Sequence, residues 1–188
     1  VVVVKKDTTG NLVWIDLEMS GLCVETDVIL EIASTITDGN LEVIAAGPSL
    51  VIHQSEEYLA AMNGWCTFHH GKSGLTKAVR ASTVSLEDAY EQTLNFIKEH
   101  CALHTGILAG NSVGQDRNFL YKYMPGIVDY LHYRIVDVTS IKVLVSHWYP
   151  NDKNVEYKKK DCHRALNDVQ ESIAELKHYR TFFFKDNS

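Results

Sequence analysis

Asn11-Leu12-Val13-Trp14-Ile15-Asp16-Leu17-Glu18-Met19 is an apolar, strand-like run that ends in two acids. Leu12, Val13, Trp14 and Ile15 predict a β-strand over Asn11 to Leu17. Residues i and i+2 of a strand share a face, so Asp16 and Glu18 lie side by side at its end. Two carboxylates beside an apolar core repel each other and lose hydration unless a positive charge joins them. A hard divalent cation, Mg²⁺ or Mn²⁺, meets that need because it prefers oxygen ligands. The pair by itself is equally consistent with two acids facing solvent at a sheet end.

Working outward, Ile29, Ile32, Ala33 and Ile36 predict a second strand from Val28 to Thr37. Asp38-Gly39-Asn40 is a turn signal, and Leu41 to Ile52 reads as a third strand, so the sheet begins as an antiparallel meander. Ser55 to Asn63 reads as a short helix, followed by an aromatic, His-rich loop, Trp65 to Gly71. Ser85 is positioned to cap a helix over Leu86 to Cys101, whose Leu86, Ala89, Tyr90, Leu94 and Ile97 fall on one stripe. Ile107-Leu108-Ala109 is a short buried strand, and Gln115 to Met124 a helix stopped by Pro125-Gly126. A fifth strand over Tyr133 to Val138, a helix over Ser140 to Tyr149, a Lys-rich polar loop (151–161) and a long amphipathic helix (163–181) complete the chain. A meander followed by alternating helices and strands predicts an α/β fold, a mixed five-stranded sheet covered by helices. That order fits the ribonuclease H-like architecture. Residues 1–10 are read as a flexible tail, 11–183 as one domain and 184–188 as a C-terminal tail.

Composition narrows the function classes. With 188 residues, 45% of them hydrophobic, the chain supports one domain with a substantial core. No apolar run approaches the ~20 residues of a membrane span, and no targeting segment is visible, so a soluble, cytoplasmic protein with no membrane partner is expected. The cysteines Cys23, Cys66, Cys101 and Cys162 lack CxxC spacing, which favours reduced thiols in an intracellular protein. The pair His100 and His104, with Cys101 between them, has zinc-like i, i+4 spacing, but no third ligand stands near it. The net charge of −6 argues against a grip on long nucleic acid, where phosphate neutralisation supplies much of the affinity. A very small substrate with metal ions supplying positive charge escapes that objection.

Further acids recur at element ends. Asp116 opens a helix directly after the strand and loop Leu108 to Gly114, where an acid is commonly only a dipole partner. Asp168 lies in the last helix, five residues after His163. Five helical residues turn through ~500°, so the two share no face unless His163 sits on the loop entering the helix.

Together these motifs resemble the DEDD exonuclease superfamily: Asp16-x-Glu18, Asp116 after Ala109-Gly110-Asn111-Ser112, and His163-Arg164-Ala165-Leu166-Asn167-Asp168. Trp14 to Leu22, His69-His70-Gly71-Lys72-Ser73-Gly74-Leu75, Lys122-Tyr123-Met124-Pro125 and His132-Tyr133-Arg134 resemble the oligoribonucleases within it, over roughly residues 11–183. The resemblance implies a 3′→5′ exoribonuclease that degrades dinucleotides and other very short single-stranded RNA by two-metal-ion hydrolysis. It implies that Asp16, Glu18, Asp116 and Asp168 hold two divalent ions, with His163 as the proton acceptor. It further implies that Leu22 wedges between bases, that Trp65 stacks on the 3′ base, and that His70 approaches a phosphate or sugar. Ser112 and Thr139, with Tyr133 and Arg134 of a partner subunit, would cap the 5′ phosphate, which requires a homodimer. Leu120, Tyr123, Met124, Leu131 and Trp148 are candidates for its interface. The chain departs from the pattern at Asn167, where a second acid is usual, and at Thr139-Ser140, where the two hydroxyl residues are reversed.

Overall fold

The opening run forms strand β1 (Leu12–Met19) in the computed structural model, which describes residues 10–158 and 163–185. Residues 1–9, 159–162 and 186–188, parts of the expected tails and polar loop, lie outside the described residues. The other strands are β2 (Ile29–Thr37), β3 (Val43–Val51), β4 (Ile107–Gly110) and β5 (Ile135–Asp137). They form one five-stranded sheet ordered β3-β2-β1-β4-β5, antiparallel across β3-β2-β1 and parallel across β1-β4-β5. This is the expected α/β fold with a mixed sheet. β1 lies at the centre, so its C-terminal end is the point on which the remaining elements converge.

Side-chain alternation along β1 divides the core in two. Val13, Ile15 and Leu17 pack with α4 (Leu86–His100), α5 (Gly114–Tyr123) and α6 (Pro125–Tyr130). Leu12 and Trp14 point to the opposite face, against α7 (Val138–Trp148) and α8 (Ala165–Phe183). The Trp14 indole satisfies its N–H within that core by donating to Thr37 Oγ1 at 3.0 Å. The same alternation carries Asp16 and Glu18 onto the α8 side. α1 (Glu56–Ala61), α2 (Gly64–Lys72) and α3 (Leu75–Ala81) build a third cluster over Val28 and Leu30, beside the end of β1. No helix among the described residues is long and apolar enough to cross a membrane.

Several local expectations are corrected. The aromatic stretch Trp65 to Gly71 is not a loop but most of helix α2, nucleated by Asn63, whose side chain accepts from Cys66 N–H at 2.9 Å. Gly74, at φ +78°, turns the chain into the unanticipated α3. Pro125 ends α5 but also opens α6, at a first-turn position where no N–H is needed. β3 starts two residues later than expected because Leu41 (φ +70°) belongs to a turn closed by Asp38, which accepts from Asn40 and Glu42 N–H. β5 shortens because Asp137 already caps α7 through Thr139 N–H. The last helix starts at Ala165 rather than at residue 163.

The Ser85 cap is present as a full capping box: its side chain accepts from Asp88 N–H at 3.0 Å, and Asp88 accepts from Ser85 N–H at 3.2 Å. Ser85→Ala is expected to cost about 1 kcal/mol in urea unfolding and to leave nuclease turnover unchanged, since the cap bonds join only Ser85 and Asp88. A loss of activity without loss of stability would show that α4 is coupled to the site.

Candidate active site

The C-terminal end of β1 gathers groups from distant parts of the chain. Ligand atoms of Glu18, His163 and Asp168 lie within 4.8 Å of one another, the one such His/Cys/Asp/Glu group among the described residues. Glu18 comes from β1 and Asp168 from the first turn of α8, while His163 precedes that helix in a left-handed conformation (φ +45°). This is the placement that lets residues 163 and 168 meet despite their helical spacing. Asp116, buried in the first turn of α5, accepts a hydrogen bond from Leu17 N–H at 2.9 Å and acts electrostatically on Glu18. Asp16 stands two residues before Glu18, on the same face of β1. Asn167 is exposed. His100 and His104 instead meet the carbonyls of Phe96 and Leu131 and belong to no such cluster.

A cavity of about 350 Å³ opens beside Glu18 and is lined by Gly21, Leu22, Asn63, Trp65, Cys66 and His70. Leu22 and Trp65 are large apolar side chains left 69% and 56% exposed at its rim. The Leu22 loop is held from α5, where Gln115 Nε2 donates to Leu22 O at 2.8 Å and Lys122 Nζ to Val24 O at 2.6 Å. Trp65 stacks on His69 with ring centroids 4.2 Å apart, and both rings meet His163 edge-on, at 5.5 and 4.6 Å. His70 is buried and donates from Nε2 to Met19 O at 2.9 Å, which leaves Nδ1 as an acceptor without a hydrogen-bond partner, 3.8 Å from Glu18 Oε2. A larger space of about 810 Å³ lies near Leu12, Leu41 and Arg180, around the opposite end of β1, and contains none of these acids.

Ser112 and Thr139 are joined, with Ser112 N–H donating to Thr139 Oγ1 at 2.9 Å and the two hydroxyls 3.0 Å apart. Tyr133 and Arg134 are exposed, with the guanidinium 5.3 Å from the Tyr133 ring, and neither lines the cavity of its own chain. Of the expected interface residues, Leu120, Met124 and Leu131 are core, spent on packing α5 and α6 against the sheet. The exposed large hydrophobic groups of this region include Val143, Leu144 and Trp148 on α7, with Tyr121, Tyr133, Ile135 and Tyr149.

Glu31 escaped the sequence reading, and Arg164, His69 and Asn111 stood inside its motifs without a role. Glu31 sits in β2, whose nine residues are all buried, and receives the Arg164 guanidinium at 2.7 Å. A lone acid inside an apolar strand was the available signal. Asn111 Nδ2 donates to Ser172 Oγ at 2.8 Å and to Glu175 Oε2 at 3.0 Å, and its Oδ1 accepts from Thr139 at 3.2 Å.

Crowding of carboxylates has an electrostatic consequence. Burial first, then Asp168, Glu31 and Asp116, push the Glu18 carboxyl up to about 8, with Arg164 opposing. Burial pushes Asp116 up to about 7 against the hydrogen bonds from Leu17 N–H and its own N–H. Burial also lowers the His70 imidazole, partly countered by its bond to Met19 O. The Glu18–His70 approach is therefore a contact of largely neutral groups near neutral pH, not an ion pair. A cluster of oxygen donors held toward protonation, with one imidazole and an unpartnered His70 nitrogen beside it, fits a hard divalent cation.

A mixed sheet with this acidic end defines the class, an exonuclease, and the exonuclease family model matches residues 13–176. The chain is 53% identical over 175 residues to the oligoribonuclease of Shewanella loihica, spanning 93% of this chain and 96% of that protein. It is 52% identical over 180 residues to a probable oligoribonuclease of Dictyostelium discoideum, spanning 95% and 93%. The fold is shared with the zinc-bound form of E. coli exonuclease I in complex with single-stranded DNA, at a TM-score of 0.69 and 16% identity. That superposition covers 92% of this chain and 41% of the larger one. The chain belongs to the oligoribonuclease family and is an exoribonuclease.

A folded Glu18 keeps its proton up to about pH 8, whereas the unfolded chain releases it near the ordinary value of 4.5. Between these values the folded state binds more protons, so this contribution to stability is complete at the acidic end and is lost as pH rises. In EDTA the melting temperature is expected to fall between about pH 5 and about pH 8, and to fall less in Glu18→Gln. Added Mg²⁺ or Mn²⁺ should raise it more at the alkaline end, because the ion competes with the proton. Identical pH profiles for wild type and Glu18→Gln in differential scanning calorimetry would remove Glu18 as the titrating group.

Proposed function

We propose that the enzyme acts as a homodimer on very short single-stranded RNA, dinucleotides above all, and releases nucleoside 5′-monophosphates from the 3′ end by two-metal-ion hydrolysis. The observation that carries this reading is the meeting of Glu18, His163 and Asp168 within 4.8 Å. They meet beside a cavity rimmed by Leu22 and Trp65. At about 350 Å³ that cavity is near the lower end of small-ligand sites and suits a nucleotide rather than a long strand.

Asp16, Glu18, Asp116 and Asp168 would hold two divalent ions, Mg²⁺ or Mn²⁺, which when bound polarise the phosphodiester and acidify the attacking water. His163 accepts a proton from that water as the new oxygen–phosphorus bond forms. The P–O3′ bond breaks, and the 3′ oxygen stays with the remaining nucleotide. Leu22 separates the two bases. Trp65, one face covered by His69, offers its free face to the 3′ base, a contact that tolerates any base. His70 Nδ1, buried and without a hydrogen-bond partner, is an acceptor suited to a sugar hydroxyl. Ser112 and Thr139, with the partner's Tyr133 and Arg134, close over the 5′ phosphate. The exposure of Tyr133 and Arg134, and the apolar face Val143, Leu144 and Trp148, support that contribution in trans. Cys23, Cys66 and Cys101 are free thiols, which supports a reducing compartment such as the cytoplasm.

A cleavage time course on 5′-phosphorylated RNAs of two, three, five and ten nucleotides is expected to show metal-dependent loss of the dinucleotide first and fastest, with none in EDTA. Equal or faster cleavage of the longest RNA would remove the closed cap. Trp148→Glu should shift the protein from dimer to monomer in light scattering and lower dinucleotide turnover at least about tenfold, since one desolvated aromatic can carry ~2 kcal/mol of an interface. A fully active monomer would exclude the contribution in trans.

A further inference from the structure

Arg164 separates His163 from the first residue of α8, and its side chain reaches down to the sheet. Arg164 Nε lies 3.1 and 3.0 Å from the two carboxylate oxygens of Glu31, and Nη2 lies 2.7 Å from Oε1. Ala165 N–H, an otherwise unsatisfied donor at the start of α8, donates to Glu31 Oε2 at 3.1 Å. Glu31 thus takes both a side-chain fork and a helix N-terminus on one carboxylate, and it is 1% exposed. It also stands directly opposite Glu18 in the β1–β2 pairing.

A carboxylate at this position is costly for folding. Replacing a buried ion pair by apolar residues is commonly neutral or stabilising, and a second acid beside Glu18 adds repulsion. The compensating effect is one of location. His163 holds a left-handed backbone at φ +45°, a conformation that a non-glycine residue keeps only where its surroundings impose it. On one side its ring is bounded by His69 and Trp65. On the chain side, the next two residues are both fastened to Glu31. We propose that Glu31 is a positioning residue for the reaction: through Arg164 and Ala165 N–H it clamps the entry of α8 to β2, and so holds the His163 imidazole against Glu18 and Asp168. The inference rests on the reading of His163 as the proton acceptor.

Glu31→Gln keeps the volume and an acceptor for Ala165 N–H but loses the ion pair, and Arg164, partly exposed, can turn to solvent. On the 5′-phosphorylated dinucleotide, kcat is expected to fall about 10- to 100-fold, the scale of a misplacement of about 1 Å, with KM within about threefold. Arg164→Lys, which keeps the charge but loses the fork, should lie between wild type and Glu31→Gln. Because the clamp acts through His163, Glu31→Gln should have little further effect on the residual rate of His163→Ala. Long-range ¹H–¹⁵N NMR of the metal-free protein reads the imidazole without any turnover. Glu31→Gln should shift or broaden the His163 ring signals and leave those of His100 and His104 in place. Unchanged His163 signals, or an equal loss of rate in the His163→Ala background, would overturn the proposal. Wild-type turnover by His163→Ala would instead refute the proton-acceptor role, and the NMR comparison would still decide the clamp.

Discussion

Four carboxylates from four elements meet around the end of β1, and holding them there against their mutual repulsion is the constraint that shapes the protein. Burial raises the Glu18 pKa most, and Asp168, Glu31 and Asp116 together add to it. In water such groups would separate. Here they cannot, because each carboxylate is fixed by an element whose own position is set by packing elsewhere: β1 by its two neighbours, α8 by the Trp14 core, α5 by the Val13 core. The hydrophobic effect, which is not directional, supplies the stability. Individual hydrogen bonds then aim the acids, as when Leu17 N–H holds Asp116 in line with the strand.

The two faces of β1 divide this work. Odd-numbered residues (Val13, Ile15, Leu17) pack with the helices that carry Asp116, and even-numbered ones (Leu12, Trp14) pack with the helix that carries Asp168. Glu18 ends the even series, so α8 approaches it as a consequence of covering Trp14. Asp116 arrives from the other side over the end of the sheet, because β4 runs parallel to β1 and delivers the chain to that end before α5 begins. The mixed topology is thus a means of bringing chain segments about 100 and 150 residues apart to one point without a long loop.

Most of this was legible in the sequence. The continuous apolar run Leu12 to Ile15 announced β1, and i, i+2 spacing put Asp16 and Glu18 on one face. The five-residue gap from His163 to Asp168 stated its own condition, that the histidine lie off the helix, and φ +45° at His163 with a helix from Ala165 meets it. Other features were not legible, for definite reasons. α2 is built from Trp, Cys, Phe, His and Gly, residues with weak helix preference, so tertiary cover over Val28 and Leu30 decides its state. Leu120, Met124 and Leu131 were read toward an interface because an apolar stripe does not say what it faces, and they face the core. Glu31 was passed over because a single acid in a buried strand acquires meaning only when Arg164, 133 residues away, is seen beside it.

The acidic net charge also finds its place. A nuclease that grips a long strand needs a basic track, and the salt-dependent binding that comes with it. This chain, at −6, concentrates polar contacts in a short connected series instead. Ser112 bonds to Thr139, Thr139 to Asn111, Asn111 to Ser172, and the Ser172 hydroxyl to the Asp168 carbonyl at 2.7 Å. A hydrogen-bond chain of that kind fixes the span from Ser112 to the α8 turn that carries Asp168. Under the proposed function those are the two ends of the substrate, the 5′ phosphate and the scissile bond. On that proposal the four hydrogen bonds would act as a ruler, filled by a dinucleotide and overrun by a longer RNA. Under the proposed function, a preference for short RNA would follow from rigidity between two anchor points, with no affinity required for the length of a strand.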